Sequence, residues 1–202
     1  MITILDYGMG NVGSVCNMIR RLGHEGFITS DKTEIAAARK LIIPGVGSFD
    51  SAMTRLQDLG MVDIIRNKAK EKDTYILGIC LGMQLLFEGS EEGVLPGLGL
   101  IKGYVKKFDE KVIGKRIPHI GWNYVEVNQH ARLFLNAEPE QRFYFVHSYY
   151  AVPADDTCFV SMANYGIDFV AAVEKDNVLG VQFHPEKSHR YGKALLKNFL
   201  EI

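Results

Sequence analysis

Along the first half of the chain, short unbroken apolar runs alternate with stretches in which apolar residues recur every three or four positions. Ile2-Thr3-Ile4-Leu5 predicts a buried strand, and Val12, Val15, Cys16, Ile19 and Leu22 then predict a helix that Gly23 stops. Gly26 to Thr29 predicts a second strand, and Asp31-Lys32-Thr33-Glu34 has the form of a capping box opening a short helix. Lys40-Leu41-Ile42-Ile43 reads as a third strand, ended by Pro44. Phe49, Met53 and Leu56 continue on a helix that Gly60 interrupts and Met61 to Lys70 resumes. Thr74 to Ile79 is the fourth strand, with a helix from Leu81 to Glu88. Strands separated by helices imply right-handed crossovers and a parallel sheet covered on both faces.

After Gly89 the pattern changes to short β-like runs parted by turn residues: Leu100 to Phe108, Trp122 to Val127, Arg142 to Tyr149, Cys158 to Ala163, Phe169 to Glu174 and Val178 to Phe183. These predict hairpins added to the sheet. Tyr191 to Ile202 closes the chain with an amphipathic helix whose Ala194, Leu195, Phe199 and Leu200 face the domain. The expected fold is one α/β domain over residues 1–202, a mostly parallel sheet with helices on both faces and hairpins in the C-terminal half.

Composition narrows the function. With 23 Lys and Arg against 24 Asp and Glu, no excess of positive charge is present to neutralise phosphates, so no nucleic-acid partner is expected. At 47% hydrophobic and 23% charged the chain has the balance of a folded globular protein. Met1 to Asp6 carries no basic region, which argues against a secretory leader. The longest uncharged stretch, Thr74 to Phe87, is 14 residues, short of the roughly 20 that span a bilayer, so no membrane association is expected. Cys16, Cys80 and Cys158 are odd in number and lack a C-x-x-C, which points to a reducing, cytoplasmic setting.

The sharpest local motif is Gly78-Ile79-Cys80-Leu81-Gly82, at a strand-to-helix junction. A nucleophile elbow needs that context, with small residues two positions to either side so that the backbone can double back. The sulfur then stands out from the sheet edge, and the Leu81 N–H is placed to meet a developing oxyanion. The same residues also suit a buried Cys in an apolar strand. His184-Pro185-Glu186 ends a strand, with His and Glu at i and i+2 on the same side, so Glu186 is placed to hold one ring nitrogen while the other serves a sulfur. Pro44-Gly45-Val46-Gly47-Ser48-Phe49 follows a buried strand; its glycines permit close approach of a ligand, and Val46 and Gly47 N–H groups are candidates for a second oxyanion donor, although a plain βα turn has the same pattern.

Three further elements carry competing readings. Gly8-Met9-Gly10-Asn11-Val12-Gly13 is a G-x-G-x-x-G after a strand, with Asp31 lying 18 residues beyond the last Gly, and so has the spacing of a dinucleotide-binding module based on Gly8, Gly10 and Gly13. That module would leave the Cys and His-Glu elements without a role. His184, Glu186 and His189 match no metal-binding spacing, so no metal and no cofactor is expected. Trp122, the only Trp, is either a packed aromatic or a surface anchor for a partner, and His147-Ser148-Tyr149-Tyr150 is either a ligand-facing rim or a polar strand end.

Together, Pro44-Gly45-Val46-Gly47, Gly78-Ile79-Cys80-Leu81-Gly82-Met83-Gln84 and His184-Pro185-Glu186 resemble the class I (triad) glutamine amidotransferases, in an order and spacing that cover nearly the whole chain. Within that family, Asp6 to Asn11, Pro118 to Asn123, Phe145 to Tyr149 and Phe183 to Ser188 look like the glutaminases that serve histidine biosynthesis. The resemblance implies a flavodoxin-like fold and hydrolysis of L-glutamine to glutamate and ammonia through a Cys80 thioester. It implies that His184 moves the proton and Glu186 orients His184, with Val46 and Leu81 as oxyanion donors and Gly47, Gln84, Ser148 and Tyr149 around the glutamine. It further implies a heterodimer with a (β/α)₈ cyclase of the HisF type, for which Trp122 is the candidate contact. Asp50 departs from the Gly that family members often carry there, and related glutaminases instead supply sugars of surface polysaccharides.

Overall fold

The computed structural model describes residues 2–137, 141–154 and 156–202. The first half alternates as its periodicity predicts: β1 Ile2–Leu5, α1 Val12–Arg21, β2 Gly26–Thr29, α2 Lys32–Ala37, β3 Lys40–Gly45, α3 Phe49–Asp58, α4 Val62–Lys68, β4 Tyr75–Cys80 and α5 Leu81–Gln84. The second half adds β5 Gly89–Ser90, β6 Gly103–Lys107, α6 Glu110–Ile113, β7 His119–Val125, β8 Gln141–His147, β9 Tyr149–Pro153, β10 Phe159–Asn164, β11 Asp168–Lys175, β12 Val178–Val181 and the closing helix α7 His189–Glu201.

The main sheet runs β2-β1-β3-β4-β12-β11-β9-β6-β5, with β10 also paired to β11. From β2 to β12 neighbouring strands are parallel, and β4 lies between β3 and β12. Register then decides where the chemistry sits. Gly45 of β3 lies beside Cys80 of β4, and Val181 of β12 lies beside Ile79. Three strands therefore end together at one edge of the sheet, where open α/β sheets bind ligands.

Apolar side chains cover both faces. Ile4, Ile42, Leu77 and Leu179 share one cluster with Ile19 of α1 and Leu195 and Phe199 of α7. Leu5, Leu41, Ile43 and Ile76 share the other with Met53 of α3, Ile65 of α4 and Met83 of α5. Strands buried on both sides account for the unbroken apolar runs read in the sequence.

Four local expectations change. Pro44 does not end its strand: it pairs with Ile79, and because β1 pairs with β3 only through Leu41 and Ile42, its missing N–H removes no ladder bond on that side. The helix expected to Glu88 stops at Gln84, since the carbonyls of Leu85, Leu86 and Glu88 accept hydrogen bonds from Leu98, Leu100 and Gly97 of a returning loop. The run from Arg142 to Tyr149 is two strands that part at Ser148, β8 pairing with β7 and β9 with β6. Of the expected hairpins, β7-β8 forms its own two-stranded sheet rather than joining the main one.

Helix α5 lies against the sheet more closely than any side chain allows. A Cβ on Gly82 would sit 1.8 Å from the Ile43 carbonyl oxygen, and one on Gly78 would sit 2.5 Å from the Gly82 carbonyl oxygen. We expect Gly82→Ala to destabilise the fold by about 1–3 kcal/mol through forced backbone movement, read as a lower urea midpoint; an unchanged midpoint would contradict this tight contact.

Candidate active site

Cys80 is both the last residue of β4 and the residue before α5, and it makes the turn with φ 55 and ψ −112. A side chain in that region of backbone space is strained, and such strain persists only where the surroundings enforce it. Here Gly78 and Gly82 allow the chain to fold back and the sheet pins both neighbours. The thiol contacts the Val146 carbonyl at 3.8 Å and the Gln182 amide nitrogen at 3.9 Å.

His184 arrives from the adjacent strand. It follows β12 by three residues, its main-chain N–H bonds the Tyr144 carbonyl at 2.9 Å, and its own carbonyl accepts from the Ser188 hydroxyl at 2.6 Å. One turn of 3-10 helix, Pro185–Lys187, brings Glu186 back beneath it. The two side chains thus meet across a turn, not along a strand as the i, i+2 spacing suggested. His184 Nδ1 lies 2.9 Å from Glu186 Oε1, and both side chains are buried.

The electrostatics of this group follow from its partners. Burial by itself would lower the His184 pKa, but hydrogen bonds to Cys80 and Glu186, and the negative charge of both, outweigh burial and raise it from 6.5 to about 10. Among the described residues Glu186 Oε2 is buried and has no partner, so the carboxylate directs its hydrogen bonding at His184 through Oε1. Tyr7 lies beneath the elbow with its hydroxyl buried and without a partner among the described residues; burial and the charge of Cys80 push its pKa upward, so it stays a neutral phenol.

Cys80 and His184 open into a cleft of about 340 Å³ whose walls include Val46, Gly47, Leu81, Gln84, Ser148 and Tyr149. Eight of the residues picked out from the sequence thus border one space, with Glu186 directly behind. Leu81 begins α5, where a main-chain N–H has no partner within the helix. Gly47 takes φ +107, a conformation that suits glycine, in the turn that faces the thiol. Gln84 is committed elsewhere: its amide nitrogen donates to the Tyr149 carbonyl at 3.1 Å and to Gln182 Oε1 at 3.0 Å, holding the wall in place.

One wall residue carries no local sequence signal. Glu92 reaches the cleft from the loop after β5 and accepts the Phe49 N–H at 2.8 Å. Burial, and after it the neighbouring Asp50, raise its pKa above the usual carboxylate value, against the lowering effect of the Phe49 N–H. Neither its neighbours nor its spacing in the sequence marks Glu92.

The competing motifs find other uses. Asp31 accepts the N–H groups of Thr33 and Glu34 at 2.8 and 3.1 Å as the cap of α2, and the missing side chain of Gly10 makes room for the Pro44 main chain at 3.1 Å. The glycine turn is thus spent on packing beneath the Pro44-Gly47 loop. His189 lies flat against Trp122, with ring centroids 5.5 Å apart, and stands outside the His184-Glu186 pair. Trp122 is half-exposed on the outer face of β7, away from the cleft.

Comparison with known proteins matches residues 3–202 to the family described as glutamine amidotransferase class-I. A subunit named imidazole glycerol phosphate synthase subunit HisH 2 from Methanococcus maripaludis is 52% identical, covering 100% of this chain and 99% of its own. The protein of the same name from Pseudomonas aeruginosa is 44% identical with full coverage of both chains, and the HisH subunit of Leptospira interrogans is 45% identical, again with full coverage. Among solved structures, a glutamine amidotransferase superposes with a TM-score of 0.77 at 20% identity, covering 100% of this chain and 98% of that one.

The raised His184 pKa fixes a pH dependence. The protonated ring contributes stability that is fully present below about pH 6.5 and lost as pH rises through about 10. The difference in urea stability between wild type and His184→Gln should therefore narrow across that window; a difference independent of pH would show that the ring does not hold the proton.

Proposed function

The chain belongs to the class-I glutamine amidotransferase family, and from that premise we propose that Cys80, His184 and Glu186 hydrolyse L-glutamine as the glutaminase subunit, HisH, of imidazole glycerol phosphate synthase. The observation that carries the roles of these residues is the strained Cys80 elbow hydrogen-bonded to an imidazole that Glu186 holds.

Cys80 Sγ passes its proton to His184 as it adds to the side-chain carboxamide carbon of glutamine. The carbonyl π electrons move to oxygen, which the main-chain N–H groups of Leu81 and Val46 receive. Collapse of this intermediate breaks the C–N bond as His184 gives its proton to the departing nitrogen, leaving ammonia and a thioester. Water then attacks the thioester carbon and gives a proton to His184. A second collapse breaks the C–S bond, releasing glutamate and restoring the starting pair. Glu186 keeps the ring oriented through both halves. Glu92 pairs with the substrate ammonium, while Gly47, Ser148 and Tyr149 border the rest of the amino acid.

The ammonia is used by a partner subunit, a (β/α)₈ cyclase of the HisF type. The outer face of β7 supports this docking: Ile120, Trp122 and Tyr124 alternate outward and are 59%, 45% and 56% exposed, an apolar strip of the kind partners cover. Trp122 is held in place by its stack on His189. A cytoplasmic setting belongs to the same reading.

Three measurements test it. Cys80→Ala should fold normally yet lose glutamine turnover by at least about 10⁴-fold; turnover at the wild-type rate would remove Cys80 from the chemistry. Glu92→Gln keeps an acceptor for Phe49 but loses the charge, so KM for glutamine should rise roughly 10- to 100-fold; an unchanged KM would take Glu92 out of the substrate site. Mixed with the cyclase subunit, the protein should support imidazole glycerol phosphate formation from glutamine, and Trp122→Ala should weaken that pairing by about 30-fold or more; failure of the wild-type mixture to form product would redirect the ammonia to another synthase.

A further inference from the structure

Two buried imidazoles take no part in the chemistry described above: His147 lines the cleft, and His119 lies behind it. His119 opens β7 and His147 ends β8, and the register of that pair sets them directly opposite one another. His147 Nδ1 lies 2.8 Å from the Tyr149 carbonyl, and its Nε2 lies 2.9 Å from His119 Nδ1. His119 Nε2 in turn lies 3.3 Å from the Asn123 amide nitrogen, which also donates to the Asn164 carbonyl at 2.8 Å.

The ends of this series determine its direction. A carbonyl oxygen only accepts, so His147 carries its proton on Nδ1 and presents a lone pair at Nε2. His119 must then donate from Nδ1, which leaves its Nε2 as the acceptor for Asn123. Both rings are neutral: burial lowers the His119 pKa to about 4, helped by Lys115, and lowers His147 to about 3. Every donor therefore points the same way, and dipoles aligned head to tail strengthen one another. The chain ends on the carbonyl that Gln84 also holds, and Gln84 bonds Gln182, whose amide faces the Cys80 sulfur.

We propose that His119 and His147 are positioning residues: a one-way series of hydrogen bonds, Asn123 to His119 to His147 to the Tyr149 carbonyl, sets the Tyr149-Tyr150 peptide and with it the Ser148-Tyr149 rim that borders the substrate. Held from β7 on one side and from beneath the nucleophile on the other, that peptide keeps one orientation. The arrangement also commits both nitrogens of His147, so it does not compete with His184 for the proton of the thiol. The proposal rests on the reading of the cleft as the glutamine site.

The spectrum of the uniformly ¹⁵N-labelled full-length protein at pH 7 reads this without substrate. Both rings should be neutral with protonated Nδ1 and unprotonated Nε2, the form that free histidine disfavours. An Nε2-protonated ring or an imidazolium at either position would overturn the proposal. Kinetics supply the second test. His119→Phe keeps a ring between Phe145 and Tyr165 but removes the donor to His147, and KM for glutamine should rise about 10-fold while kcat stays within about twofold. His119→Asn returns a donor near the Nδ1 position and should bring KM back to within about threefold of wild type. Equal KM values for the Phe and Asn variants, or a fall in kcat alone, would reject the positioning role. Absence of glutamine turnover in the wild-type protein would count against the reading of the cleft, whereas the tautomers stand or fall by the spectrum.

Discussion

The structure depends on the backbone turn at Cys80. A cysteine held at φ 55 is unfavourable by itself, and it survives because β3 and β12 flank its strand in fixed register while two glycines let α5 return across β3. The same flanking strands deliver the other parts. One residue past the end of β3 comes Val46, and three past the end of β12 comes His184. The site is therefore a property of parallel pairing: residues distant in sequence become neighbours because their strands stop at one edge.

Much of this was legible along the chain. The alternation of apolar runs with helical periods gave the order of the first nine elements, since a parallel sheet covered on both sides imposes those periods. The Cys80 and Val46 motifs were readable because backbone strain and close approach select glycine at defined offsets. What escaped had no local cause. The break at Ser148 depends on two different partner strands, and the early end of α5 depends on a loop returning from Gly97 to Leu100. Glu92 is placed by contacts to α3, and neither its neighbours nor its spacing record that. The link between His184 and Glu186 was expected for the wrong geometric reason, because a turn and an extended strand both bring i and i+2 to one side.

Charge in the site is arranged in layers. Glu186, its second oxygen without a partner among the described residues, acts on His184 and helps raise its pKa. The two other imidazoles close by are held neutral by burial. In the proposed reaction the charged imidazole exchanges protons, and the two neutral ones act as directional connectors.

Asp50 and Glu92 form a pair of exchanged caps. Asp50, from the first turn of α3, accepts the N–H groups of Val94 and Leu95 at 3.0–3.1 Å, while Glu92, from the facing loop, accepts the Phe49 N–H at the start of that same helix. Helix and loop are thereby clasped, and the Gly47 turn is joined to the clasp through Ser48. A displacement of that turn carries the Glu92 carboxylate along with it, so the two sides of the pocket are coupled as one stiff jaw.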